Sequence, residues 1–130
     1  MLFRSDKVLV HRKNGLRINQ SFPYKEILKE YKEKLVFISS NEKDYETFPY
    51  KNSIPFLKME TLNDWFTSIN SCEMIVSNLT GPTAIANAMN KLRIIELPNT
   101  ADIYHTIGED KFSKNIYWYL DNQTNNLYKT

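Results

Sequence analysis

The sequence predicts an α/β fold, a doubly wound parallel sheet with helices on both faces, and three observations carry that expectation. Short apolar runs recur along the chain at Val8 to His11, Leu35 to Ile38, Ile54 to Met59, Met74 to Val76 and Ile94 to Leu97. The segments between them place their apolar residues at helical rather than alternating spacing. The fourth and fifth runs flank a turn holding Gly81 and Pro82 and then a small-residue helix, a strand, turn, helix, strand unit spanning Met74 to Pro98. Strands alternating with helices are most economically joined as a parallel sheet, because right-handed crossovers put the helices on its two faces. The expected strand order is 3-2-1-4-5, with an extra strand or hairpin near the C-terminus.

The whole chain fits one domain covering residues 1–130. With 130 residues and 42% apolar composition, it buries roughly 70% of the surface its unfolded form exposes, and a second full domain does not fit. Lys plus Arg is 17 and Asp plus Glu is 15, and a net charge of +2 gives no argument for a nucleic-acid partner. Cys72 stands alone, so no intrachain disulfide forms, and it reads as a buried small residue at a helix end. No Cys or His cluster has metal-ligand spacing, so no metal is expected. The first residues, Met1 to Lys7, carry charge without an apolar core and no run approaches a membrane span, so a cytoplasmic protein is expected.

Each element has a local reason. Val-Leu-Val at Val8 begins the fold as a buried strand and ends in a basic turn, Arg12, Lys13, Asn14 and Gly15. From Pro23 the period changes: Tyr24, Ile27, Leu28, Tyr31 and Leu35 follow i, i+3, i+4, i+7, an amphipathic helix with Pro23 at its first position. After the second strand, Ser39 and Ser40 lead to Asn41, a cap for a short helix with Glu42 and Asp44 in its first turn and Pro49 as its stop. The third strand has a Pro near its start, where a missing donor is tolerable. Thr61 and Asp64 have capping-box spacing ahead of Leu62, Trp65, Phe66 and Ile69. In the central unit Thr80 caps the helix and Pro82 fits a first turn whose amides lack intrahelical partners. Ala84, Ala86 and Ala88 keep that helix slim enough to lie close to the sheet. After Pro98 the period is lost, apart from a short helical stretch at Ala101 to Ile107. Ile116 to Leu120 reads as a strand and Leu127 to Tyr128 as its return.

The order 3-2-1-4-5 puts the switch point between the first and fourth strands, so the Arg12 to Arg17 loop faces the Ser77 to Thr83 turn across one crevice. Amides around Thr80, Gly81 and Thr83, with the positive end of a helix dipole behind them, suit a phosphate. Arg12, Lys13 and Arg17 would neutralise a diphosphate there. The candidate ligand-binding residues are therefore Arg12, Lys13, Ser77, Asn78, Thr80, Gly81, Pro82 and Thr83. Glu60, after the third strand, is placed for sugar or ribose hydroxyls, as are Glu42 and Glu96. His11 lies at a strand end beside the crevice and reads first as a packing histidine, and His105 receives no role. No pair of carboxylates has a spacing that identifies an acid and base, so no catalytic residue is assigned.

With those residues in view, Thr61 to Pro98 resembles the carboxyl-terminal, Rossmann-like half of GT-B glycosyltransferases, nearest to the heptosyltransferase type. The specific part is Thr80-Gly81-Pro82, which matches the Ser-Gly-Pro turn of that family, with Ala86 and Ala88 matching its helix alanines. The resemblance implies a domain that binds a nucleotide-diphosphate sugar as substrate, with no separate cofactor and with the turn set against the diphosphate. It departs at Leu79, where the family has an acidic residue, and at Ala84, where it has a histidine. It also implies an acceptor-binding amino-terminal half that this sequence does not contain, so transfer needs a missing or separate N-terminal half. Leu79 and Ala84 support a different reading, a non-catalytic module binding a nucleotide or a protein, as a homodimer. The sequence leaves enzyme and module both open.

Overall fold

The computed structural model describes residues 7–14, 22, 24–78, 80–96, 116–119 and 127–129. Arg17, Pro23, Leu79, Pro98 and the stretch from Ala101 to Ile107 with His105 lie outside the described residues. The elements are β1 (Val8–His11), α1 (Tyr24–Tyr31), β2 (Leu35–Ser39), α2 (Glu42–Glu46), β3 (Phe56–Lys58), α3 (Leu62–Ser71), β4 (Met74–Asn78), α4 (Gly81–Ala88), β5 (Leu92–Glu96), β6 (Ile116–Tyr119) and β7 (Leu127–Lys129). They form one sheet in the order β3-β2-β1-β4-β5-β6-β7. The first five strands pair in parallel, as expected for a Rossmann-like sheet. β6 adds in parallel beside β5, and β7 returns antiparallel against it.

Side-chain alternation along the strands divides the core in two. Val8, Val10, Phe37, Met74, Val76 and Ile94 pack with Tyr24, Ile27 and Leu28 of α1 on one face. Leu9, Ile38 and Ile75 pack with Ile69 of α3 and Ala86 of α4 on the other. Because β1 and β4 are covered on both faces, every residue in them is buried, and Val8 to Val10 and Met74 to Val76 read as continuous apolar runs rather than alternating ones. Each fully buried Ile, Leu or Val in these strands contributes about 1.5–3 kcal/mol relative to exposure, so the central strands anchor the fold.

Several boundaries move from their expected places, each for a local reason. Leu35 continues the helical spacing of α1, but the chain tightens into a 3₁₀ turn over Lys32–Lys34 and Leu35 opens β2. α2 ends at Glu46 with Thr47 as its C-cap, ahead of Pro49. β3 is shorter than Ile54 to Met59, although Pro55 still takes part through its carbonyl, which accepts the Phe37 amide at 2.8 Å. β4 runs two residues past its apolar part, because Ser77 and Asn78 pair with Ile95 and Glu96. Backbone pairing, not side-chain polarity, decides where that strand stops.

The caps follow the sequence closely. The Thr61 hydroxyl accepts the Asp64 amide at 3.1 Å, and the Asp64 carboxylate accepts the amides of Thr61 and Glu60 at 3.0 and 2.9 Å. α4 leaves its last turn through Asn90 at φ 52, the left-handed conformation that asparagine tolerates. No helix among the described residues is long and apolar enough to cross a membrane.

Candidate functional site

Around the switch point, three strand ends come together at their carboxyl termini. Asn78, at the end of β4, reaches across to the segment that follows β1. Its Oδ1 accepts the Lys13 amide at 3.1 Å, and its Nδ2 donates to the Lys13 carbonyl at 3.0 Å. The loop after β2 is fixed as well: the Asp44 carboxylate accepts the Ser39 hydroxyl at 2.8 Å and the Asn14 amide at 3.2 Å. These bonds hold the β1 and β2 ends rigidly against each other and against β4.

They frame a cavity of about 440 Å³, within the range that takes small ligands. One side is polar, with His11, Lys13, Ser39, Ser40, Asn41 and Asp44. The other is apolar, with Leu62 and Trp65 of α3 and Pro82 and Ile85 of α4, and Thr80 and Gly81 close it at the amino end of α4. An apolar wall facing a polar one suits a molecule with a flat ring or C–H face and a polar edge. Among the described residues no group of three or more His, Cys, Asp or Glu side chains is arranged to hold a metal ion.

At the head of α4 the amides are not equally available. The Thr83 hydroxyl accepts the Thr80 amide at 3.1 Å, and the Thr83 amide donates to the Thr80 carbonyl at 3.1 Å. Thr80 and Thr83 thus form the reciprocal capping box of α4, and the Thr80 hydroxyl also donates to the Asn78 carbonyl at 3.5 Å. Of the three amides expected to point outward, those of Thr80 and Thr83 are therefore taken up within the turn. Gly81 is exposed, and a Cβ there would meet nothing within 4 Å. The fold itself does not demand a glycine at this position.

The expected ligand residues divide by location. Lys13, Thr80, Gly81 and Pro82 line the cavity. Ser77, Asn78 and Thr83 are buried behind it, Ser77 donating to the Asn78 carbonyl and Thr83 closing the turn. Glu60 is exposed at the start of α3 and does not line the cavity. Glu42 is exposed on α2.

Arg12 and Glu96 belong to the opposite face of the sheet. The Arg12 guanidinium binds Glu96 in a bidentate pair, Nε to Oε1 at 3.0 Å and Nη2 to Oε2 at 2.8 Å. Glu96 is fully buried, and the Tyr24 hydroxyl donates to its Oε1 at 2.9 Å. The guanidinium carbon stands 5.2 Å from the centre of the Tyr24 ring. Burial opposes the Arg12 charge, but the hydrogen bonds and charge of Glu96 outweigh it, so its pKa is raised. Burial and then the Glu96 charge push the Tyr24 hydroxyl well above its usual range, keeping it a donor.

The polar wall holds residues that the sequence reading passed over. Ser39, Ser40 and Asn41 follow β2 directly, and in the order 3-2-1-4-5 the end of β2 must lie beside that of β1, which was the available signal. Asp44 reads in sequence only as a first-turn acid and Trp65 only as a core-facing helix residue. Cys72, by contrast, is as expected: it is buried, its thiol donates to the Ile69 carbonyl at 3.1 Å, and burial pushes its pKa up to about 11.

No protein-family model matches the chain, and no curated protein matches it. Among solved structures it is similar to the ADP-heptose LPS heptosyltransferase II of E. coli, with a TM-score of 0.59 and 16% identity. The likeness covers 90% of this chain and 39% of that one, so the chain spans about two fifths of the length of the protein it matches. At that identity what is shared is the fold, which is GT-B-like.

Proposed function

We propose that the chain is the donor-binding side of a GT-B-type glycosyltransferase and that its cavity takes a nucleotide-diphosphate sugar. The observation that carries this reading is the cavity at the carboxyl ends of β1, β2 and β4, where Lys13 and Gly81 meet a wall of hydroxyl, amide and carboxylate side chains. Lys13 is exposed and lines the site, and the amino end of α4 adds the positive end of a helix dipole. Together they suit a diphosphate. Asp44, Ser39 and Asn41 suit hydroxyls, and the faces of Trp65 and Ile85 suit a base or sugar ring. The fold relative is named for an ADP-heptose substrate, which is of this chemical class.

In this reading Lys13, Thr80, Gly81 and Pro82 touch the ligand, while Ser77, Asn78 and Thr83 shape the turn. Arg12 acts from the other face, by holding the segment that carries Lys13. In transfer an acceptor hydroxyl attacks the anomeric carbon, the bond from that carbon to the diphosphate breaks, and Lys13 with the Gly81 amide stabilises the departing charge. An N-terminal half, whether preceding this sequence or on another chain, supplies the acceptor site and the base. Leu79 and Ala84 keep the second reading in place, a nucleotide-binding module without transfer.

Calorimetric titration of ADP, GDP and UDP, each free and as a sugar conjugate, tests the proposal. One of them binds at micromolar concentration, and Lys13→Ala weakens that binding several-fold. Absence of heat at millimolar ligand for all three overturns it.

A further inference from the structure

His11 closes β1 on the same face as Leu9, so the alternation of the strand turns its ring toward α3. There the ring meets Trp65 edge-on, with centroids 5.3 Å apart at 89°, and has Phe37 at 6.4 Å on another side. Only 4% of the residue is exposed, and it lines the cavity. Nδ1 lies 2.8 Å from the Ile38 carbonyl oxygen. A carbonyl only accepts, so Nδ1 carries the proton and Nε2 is left with a lone pair. Nε2 stands on the side of the ring away from that carbonyl-bound nitrogen, in a residue that lines the cavity.

A histidine that merely packs has no need of a cavity beside it; this one has Nδ1 held by a backbone carbonyl and lines the cavity. The ring is also held in place by Trp65 and a backbone bond, so its orientation is set before any ligand arrives. Of the residues lining the cavity, Asp44 from α2 and Lys13 beyond β1 carry charge, while α3 and α4 present Leu62, Trp65 and Ile85. Burial lowers the pKa of His11, with Lys13 acting in the same sense and the Ile38 carbonyl and Asp44 opposing, so the ring is neutral.

We propose that His11 is the specificity residue of the cavity: Nε2 accepts a hydrogen bond from an uncharged hydroxyl of the ligand, on its ribose or its sugar. Two lone pairs repel, so the same atom turns phosphate oxygens away from the ring and toward Lys13 and Gly81. This rests on the nucleotide-sugar reading of the same cavity and adds which part of the ligand lies where.

The test is nitrogen NMR of the His11 imidazole in the full chain, first without ligand and then with whichever of ADP, GDP and UDP binds. Expected in the free protein is a proton on Nδ1 and none on Nε2. On binding, Nε2 moves upfield and Nδ1 holds its position. The 2′,3′-dideoxy form of the same nucleotide and its glucose conjugate separate the sources: a shift lost with the dideoxy form assigns the ribose, and a shift seen only with the conjugate assigns the sugar. His11→Asn keeps a donor toward the Ile38 carbonyl and lacks Nε2, and it binds on the order of fivefold more weakly, the worth of one neutral hydrogen bond. A nucleotide that binds by calorimetry while Nε2 stays still in every arm overturns the proposal and leaves the cavity reading intact, as does a proton found on Nε2 in the free protein. If none of the three nucleotides binds, the cavity reading and this proposal fall together.

Discussion

The side-chain amide of Asn78 grips the backbone of Lys13 at both ends, accepting its N–H at 3.1 Å and donating to its carbonyl at 3.0 Å. One residue at the end of β4 thereby fixes the segment leaving β1, across the point where the sheet changes direction. Asn78 is fully buried, so removing its amide leaves two backbone groups without that partner. Asn78→Ala is expected to destabilise the chain by about 1–3 kcal/mol. Urea denaturation measures that loss, and nucleotide affinity falls with it because Lys13 is no longer held.

Arg12 and Lys13 are neighbours in sequence with separate tasks. Arg12 completes a buried pair with Glu96, and removing one partner of such a pair costs about 3 kcal/mol or more because a buried charge is left uncompensated. Arg12→Ala therefore lowers the denaturation midpoint strongly. Arg12→Met combined with Glu96→Gln keeps an acceptor for Tyr24, removes both charges, and recovers most of the loss. Lys13→Ala, at an exposed site, leaves the midpoint within about 0.5 kcal/mol and weakens nucleotide binding instead.

The fold was largely legible because it is written in apolar runs and caps. Thr61 with Asp64, Asn41 and the Met74 to Pro98 unit each specify an element locally. The site was legible only in part, since it depends on which face a side chain takes. Strand parity already sets Leu9 and His11 on one face and Val10 and Arg12 toward the other. Glu96 shares parity with Ile94, which packs on the α1 side. Proximity at a strand end suggested that Arg12 faces the crevice, and alternation instead delivers it to Glu96. Asp44 and Trp65 were illegible for a different reason: nothing in a helix's own pattern says which end of it borders a cavity.

Gly81 separates folding from binding. Its Cβ position opens onto empty space, so Gly81→Ala leaves stability unchanged or raises it by up to about 1 kcal/mol, as alanine suits a helix better. The added methyl stands where a ligand approaches the amide, so nucleotide affinity falls about tenfold, the equivalent of about 1.4 kcal/mol. Thermal melting and calorimetry on the one variant read both effects.

His11 makes stability depend on pH in a set direction. Burial lowers its pKa from the ordinary 6.5, against the raising influence of Ile38 and Asp44. As pH falls through about 6.5 the unfolded chain takes up a proton that the native chain refuses. Stability attributable to His11 is therefore present above that pH and lost progressively below it. Comparing the wild type with His11→Asn isolates the effect: the wild type loses more of its melting temperature than the variant between pH 8 and pH 5.

The most direct measurement of the central claim is amide chemical-shift mapping of the full chain with the bound nucleoside diphosphate. The largest changes are expected on Lys13, Ser40, Asn41, Thr80 and Gly81, all at the carboxyl ends of β1, β2 and β4. Changes centred instead on Lys29, Lys32 and Ser53, which border a separate hollow, or no changes at millimolar nucleotide, would contradict it.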